Sequence, residues 1–339
     1  MKVEKKFFSN LAALRIFLSF LVVSIHCYKP KVTIRKKIII KIIYNMVHVP
    51  TFYILSFYFS FNLFKSKNIK KIKLRFQRLL IPYLVWPIII WSLNNLFSFF
   101  FIKIDIFPFK TLIIQLLTGN CFMASLWFQY NLIFIDVLIV IIHLSFNGEL
   151  VLYILINFKI LAFVLQYSNY NTFYFGKYIN SITLSFGRFF EIITHCIAGY
   201  FLSSLNIVHI LSKFRILSIY IVLSIIMCIL KYKIFFEIKG FGYGGLKLYV
   251  SSINLFLLFS LIPNEIFGNK YMNKFIKFIS ILTPGIYFIN SSIIKYLRIF
   301  SFLKNGTLFD VIFVYCMSYF ISLIGKLIFR NTKLINLFQ

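Results

Sequence analysis

The chain has 339 residues, 60% of them hydrophobic and 13% charged, and a formal net charge of +29. Soluble domains are only about 45–50% apolar, so the composition excludes a soluble globular enzyme. Apolar runs long enough to cross a hydrocarbon core of about 30 Å recur from end to end. The Lys and Arg fall mainly in short stretches between these runs, where they meet lipid headgroups or a phosphorylated ligand rather than nucleic acid.

The pattern predicts an all-α, polytopic transmembrane bundle of about ten spans, near 11–28, 42–64, 79–102, 126–144, 150–167, 179–203, 215–230, 246–263, 279–297 and 308–328. Apolar residues do not alternate with polar ones, as they would in a transmembrane barrel. No long polar stretch separates the spans, so residues 1–339 read as a single membrane-embedded domain. The start, Met1 to Lys6 followed by an apolar run, lacks a small-residue cleavage site and reads as a retained first helix. An even number of spans places both termini on one side. The stretch from Lys65 to Arg78, rich in Lys and Arg and free of acid, assigns that side to the cytoplasm, although the basic loop from Lys29 to Lys41 then lies outside.

Two polar residues, Arg15 and His26, interrupt the first span. Their separation is three helical turns plus roughly 20°, so they leave one face of one helix, about 16 Å apart along its axis. Ionisable residues inside a span are costly and point to function. The spacing puts the imidazole about half a bilayer deeper than the guanidinium. Span two holds Pro50 in HVPTFYILSFYFS, with His48 beside it, read as an interfacial or packed histidine. At the entrance to span three, KIKLRFQRLLIPYLVW places Arg75 and Arg78 three residues apart on one helix face. Such a pair binds phosphate, although by spacing alone it also serves as an anchor to lipid phosphates.

Residues 110–125 read as a re-entrant or interfacial segment before span four. That span opens with SLWFQYNLIFID, in which Trp127 and Tyr130 suggest an interfacial aromatic belt and Asp136 is a buried acid in need of a partner. In span six, Arg188 and Glu191 have the spacing of an internal ion pair, with His195 one turn on, read as a core histidine. The glycine-rich IKGFGYGG has no Gly-Lys-Ser/Thr ending and is a linker, not a phosphate loop. Span nine, ISILTPGIYFINSSII, contains Pro284-Gly285, Tyr287 and Asn290. Cys27, Cys121, Cys196, Cys228 and Cys316 form neither a metal spacing nor a disulfide framework, and no metal site is expected. No internal repeat of the transporter kind is visible.

Taken in order, these pieces resemble the acyltransferase 3 family of integral membrane acyltransferases. The matching pieces are Arg15-(ten)-His26, VPTFYILSFYF, Arg75-Phe-Gln-Arg78 with Pro-Tyr, Leu126-Trp127-Phe128, Gly187-Arg188-(two)-Glu191 with Gly199, and ISILTPGIYFIN. The resemblance implies transfer of an acyl group, usually acetyl, from cytoplasmic acetyl-CoA to a hydroxyl of a cell-surface or lipid-linked glycan, such as a bacterial capsule or exopolysaccharide. It implies His26 as the catalytic residue with Arg15 beside it, and Arg75 and Arg78 as binders of the CoA phosphates. His26 is then a general base or a nucleophile forming an acyl-imidazole. Arg188 and Glu191 form a substrate-facing or structural pair, and Trp127, Tyr287 and Asn290 are secondary candidates. The sequence departs from the family pattern at Phe57 (usually glycine), Ser125 and Asn290 (often histidine). The reading of a different class is a transporter or flippase of a lipid-linked glycan precursor, with Arg15, His26, Arg188 and Glu191 lining a polar path.

Overall fold

The computed structural model describes residues 9–27, 48–100, 108–118, 126–145, 153–154, 156–157, 192–205, 246–263, 266, 269–299, 302–303 and 307–332. The described part is all-helical, with no strand among the described residues. Its helices are α1 Ser9–Cys27, α2 His48–Lys65, α3 Ile69–Phe100, α4 Phe109–Thr118, α5 Leu126–Ser145, α6 Ile192–Ser204, α7 Leu246–Leu261, α8 Lys270–Ile299 and α9 Leu308–Ile328. Four of them, α1, α3, α8 and α9, are long and apolar enough to cross a membrane. The chain is therefore built as a multi-pass membrane protein. The expected spans at 150–167 and 215–230, and the first part of the span at 179–203, lie almost wholly outside the described residues.

Two expected boundaries move. The stretch before span three is helix, not loop: α3 begins at Ile69 and carries Lys70, Lys71, Lys73, Arg75 and Arg78 on its first turns. Lys, Arg and Leu are good helix formers, and no Gly or Pro interrupts the run before Pro82. The turn from α2 is only Ser66 to Asn68, with Lys67 in the left-handed region at φ 48°. The Asn68 side chain accepts from the Lys71 amide at 3.1 Å and so caps the new helix. Likewise α8 starts nine residues before the expected span, which puts Pro284 mid-helix. The span at 308–328 is α9 as expected. Asp310, at its edge, forms a capping box with Thr307, accepting from the Thr307 amide at 2.8 Å while Thr307 Oγ1 accepts from the Asp310 amide at 3.3 Å. The segment expected before span four appears as the short, separate α4.

Contacts at the helix ends give the directions. At the start of α1, Ser9 donates to Asn273 in the first turn of α8, and Asn10 donates to the Ser260 and Ile262 carbonyls at the end of α7. At the other end of α1, Arg298 in the last turn of α8 reaches the His26 and Cys27 carbonyls. Thus α8 runs parallel to α1. Helix α7 is antiparallel to it, and so is α9, whose Tyr315 shares a hydrogen bond with Ser19. Lys65, Lys67, Lys70, Lys71, Lys73, Lys270, Lys274 and Lys277 gather at the end where α1 begins.

Three apolar clusters fill the interior. One joins α1 to α8 and α9 through Val22, Val23, Ile286 and Val314. A second joins α2, α5 and α6 through Phe57, Phe64, Ile135, Ile139 and Ile193. The third joins α1, α2, α6 and α7 through Leu14, Leu18, Ile54, Ala198 and Phe256. Outward-facing apolar side chains run along α3 (Leu80, Leu84, Ile88) and α9 (Phe309, Phe313, Phe320, Ile324), as a lipid-facing surface requires. Trp127 and Tyr130, at the start of α5, are half-buried and pack against the interior clusters.

Helices α6 and α2 approach closely at Gly199. A Cβ built on Gly199 would lie 3.0 Å from the Ile54 Cα and nearer still to its carbonyl oxygen. Small residues permit such backbone contact in membrane bundles. Gly199→Ala is expected to destabilise the purified protein by about 1–3 kcal/mol, the usual effect of overpacking a rigid contact. Thermal unfolding in detergent checks this, and an unchanged midpoint would show that the two helices part freely.

Candidate functional site

Asp136 is fully buried in α5, and its expected partner is Arg75 of α3. The guanidinium grips the carboxylate with two parallel bonds, Nε to Oδ2 at 2.6 Å and Nη2 to Oδ1 at 3.1 Å. Nη2 also donates to Ser56 Oγ of α2 at 3.1 Å. The rings of Phe57 and Phe64 flank the guanidinium at 6.0 and 5.7 Å from its carbon, within cation–π range. Phe57, one of the departures from the family pattern, thus forms one wall of the Arg75 site. Near the break that Pro82 makes in the α3 ladder, Gln129 Nε2 of α5 takes the Leu79 carbonyl.

Arg75 and Arg78 do not act as a pair here. Arg75 is turned inward and committed to Asp136, whereas Arg78 is exposed at the surface of α3. The expected two-arginine phosphate clamp is therefore split, because one arginine answers a buried carboxylate and the other has none to answer. The residue that the structure brings to Arg75 is Arg15, which lies near enough for the two positive charges to act on each other. Arg15 is half-buried on α1 and makes no hydrogen bond or ion pair among the described residues. With Asp136 neutralising Arg75, the group keeps one cation, with five N–H donors, that no described residue compensates.

His26 lies in the last turn of α1, about 16 Å beyond Arg15 at 1.5 Å per residue. It therefore stands in the last turn of α1, at the axial distance from Arg15 that the spacing predicts. Its ring is half-buried and takes no hydrogen bond among the described residues. Arg15, Ser19, Val22 and His26 share one stripe of α1. The middle of that stripe is closed, since Ser19 and Val22 are buried and Ser19 meets Tyr315 Oη at 3.0 Å. A ligand bridging Arg15 and His26 would pass beside this stripe, not along it.

Phe52 of α2, Phe128 of α5 and Tyr287 of α8 form a ring triangle, with centroids 5.3–6.1 Å apart. Tyr287 is thus part of the packed interior, and Trp127 lies half-buried against the cluster of α2, α5 and α6. Asn290 is fully buried, and its Nδ2 donates back to the Ile286 and Tyr287 carbonyls at 2.9 and 2.6 Å. Its Oδ1 has no partner among the described residues. His195 is buried against the Tyr249 ring and His48 is buried at the start of α2, both as core histidines. Arg188 and Glu191 lie outside the described residues. Cys27 and Cys196 are buried free thiols and Cys316 is an exposed one.

Sequence reasoning passed over Ser56 and Arg298. Ser56 carries no signal until its neighbour is known. Arg298 falls one residue beyond the predicted edge of span nine, where an arginine reads as a lipid anchor. No family model, curated protein or solved structure matches the chain.

The pair predicts a non-additive response. Asp136→Leu alone leaves Arg75 charged and unpaired in the interior, at an expected loss of about 3–5 kcal/mol, whereas Arg75→Leu/Asp136→Leu together should lose markedly less than the sum of the single changes. Unfolding of the four proteins in detergent measures the cycle, and additive losses would show that the two side chains do not interact.

Proposed function

We propose that the chain is a membrane-bound O-acyltransferase that moves an acyl group, acetyl by family resemblance, from cytoplasmic acyl-CoA to a hydroxyl of an extracytoplasmic or lipid-linked glycan. The observation that carries this reading is Arg15. Among the described residues it is a guanidinium with no hydrogen-bond or ion-pair partner, beside a neutralised Arg75, on the helix whose last turn carries a histidine ring with no hydrogen bond to a described residue. An unpaired arginine in hydrocarbon costs several kcal/mol, which an anionic ligand offsets. The ordered motifs quoted above supply the identity of that anion as a CoA phosphate.

In this reading the bundle has ten spans and both termini in the cytoplasm. The gathering of lysines at the end where α1 begins supports that orientation. Arg15 and Arg78, both nearer that end, meet the polyanionic part of the donor, and Arg75 holds the site's shape through Asp136. The thioester arm passes beside Ser19 and Val22 towards His26. There the imidazole takes the proton of the acceptor hydroxyl as its oxygen attacks the thioester carbonyl. The C–S bond breaks, and the thiolate of CoA leaves and is protonated. Attack by the imidazole itself, through an acyl-histidine, uses the same geometry.

The test uses membranes carrying the protein, labelled acetyl-CoA and the host's surface polysaccharide. Base-labile label should enter the glycan with the wild type. His26→Ala should lower the rate by at least about 10²-fold, the scale of general acid–base catalysis. Arg15→Ala should raise KM for acetyl-CoA about tenfold with a smaller effect on kcat, as for loss of a binding contact. Equal, negligible labelling by wild type and His26→Ala, with no CoA binding by the purified protein, would overturn the reading in favour of a transporter or flippase.

A further inference from the structure

We infer that Arg298 is the positioning residue for His26: its guanidinium ties down the last turn of α1 and so sets where the imidazole stands. The catalytic part of this inference rests on the acyl-transfer reading above, whereas the anchoring itself does not.

A helix leaves its last carbonyls without an intrahelical donor. Where water is scarce, each open carbonyl costs several kcal/mol. Nη2 of Arg298 carries two hydrogens and serves two such groups at once, the His26 carbonyl at 2.9 Å and the Cys27 carbonyl at 3.1 Å. A cation is also favoured at the negative end of the helix dipole. The anchor is itself held. Arg298 is half-buried, and its Nε is out of contact with solvent with no partner among the described residues. One turn back, Lys295 Nζ and Tyr296 Oη both reach Asn94 Oδ1 of α3, at 3.1 and 3.2 Å. The end of α8 therefore joins α3 on one side and α1 on the other.

The imidazole itself has no such support, since no described side chain bonds to its ring. Its place is set through the backbone that bears it. Beside it, the Cys27 thiol is buried and lies 4.0 Å from the Asp310 carbonyl of α9, too weak a contact to hold the turn alone.

The test compares full-length wild type, Arg298→Gln and Arg298→Lys in membranes by two readouts. The first is transfer from labelled acetyl-CoA. Arg298→Gln should lose about 10²-fold in kcat, the scale of a misplacement near 1 Å, with KM for acetyl-CoA unchanged within about twofold. Arg298→Lys keeps the cation and its donors and should recover to within about tenfold of wild type. The second readout is maleimide labelling at Cys27, followed by peptide mass spectrometry. It should speed up about tenfold in Arg298→Gln as the last turn opens more often. Unchanged labelling of Cys27 in Arg298→Gln, or a kcat within about twofold of wild type, would overturn the inference. If the wild type transfers no acetyl group, the acyl-transfer reading fails, and Cys27 labelling still decides whether Arg298 anchors α1.

Discussion

The ion pair between Arg75 and Asp136 sets where three helices can sit. It joins α3 to α5 directly and, through Ser56, to α2. Removing both charges from water is expensive, and their attraction offsets that expense only when the geometry is good. Here the fork is bidentate, a third bond is made to a hydroxyl, and two aromatic faces complete the enclosure. A slip of α3 against α5 by one turn would strand a carboxylate and a guanidinium in apolar surroundings. The pair therefore selects the register of the packing, more than it adds net stability.

That register decides what the site can be. Arg75 enters the bundle with a carboxylate already in hand, so its charge is not free for a ligand. Arg15 comes up beside it with no counter-charge among the described residues. Among those residues the result is a local excess of one positive charge, placed about a third of the way along α1.

Helix α1 is held at both ends by α8. Ser9 meets Asn273 at one end and Arg298 meets the His26 and Cys27 carbonyls at the other. Between these ties, the α1 stripe that carries Arg15 and His26 is packed shut at Ser19 and Val22. The two polar residues therefore open on different regions of the molecule, one towards the basic end and one towards the opposite end.

The sequence by itself determined that the described part is helical and multi-pass in build, and the lengths of several helices. Hydrophobic run length and helical period are local properties, and α5, α7 and α9 fall close to the runs that predict them. It also determined that Arg15 and His26 share a face of one helix and that Asp136 needs a partner. It misplaced the starts of α3 and α8, because Lys-rich segments are polar by composition yet favourable as helix, so hydropathy ends where the helix does not. Only the tertiary structure decided that the partner of Asp136 is Arg75, that Arg78 is left outside, that Phe57 flanks the pair, and that Arg298 closes the end of α1. These contacts join residues tens to hundreds of positions apart. Charge and spacing state that a buried ion must be satisfied, but which ion satisfies it depends on how the helices pack.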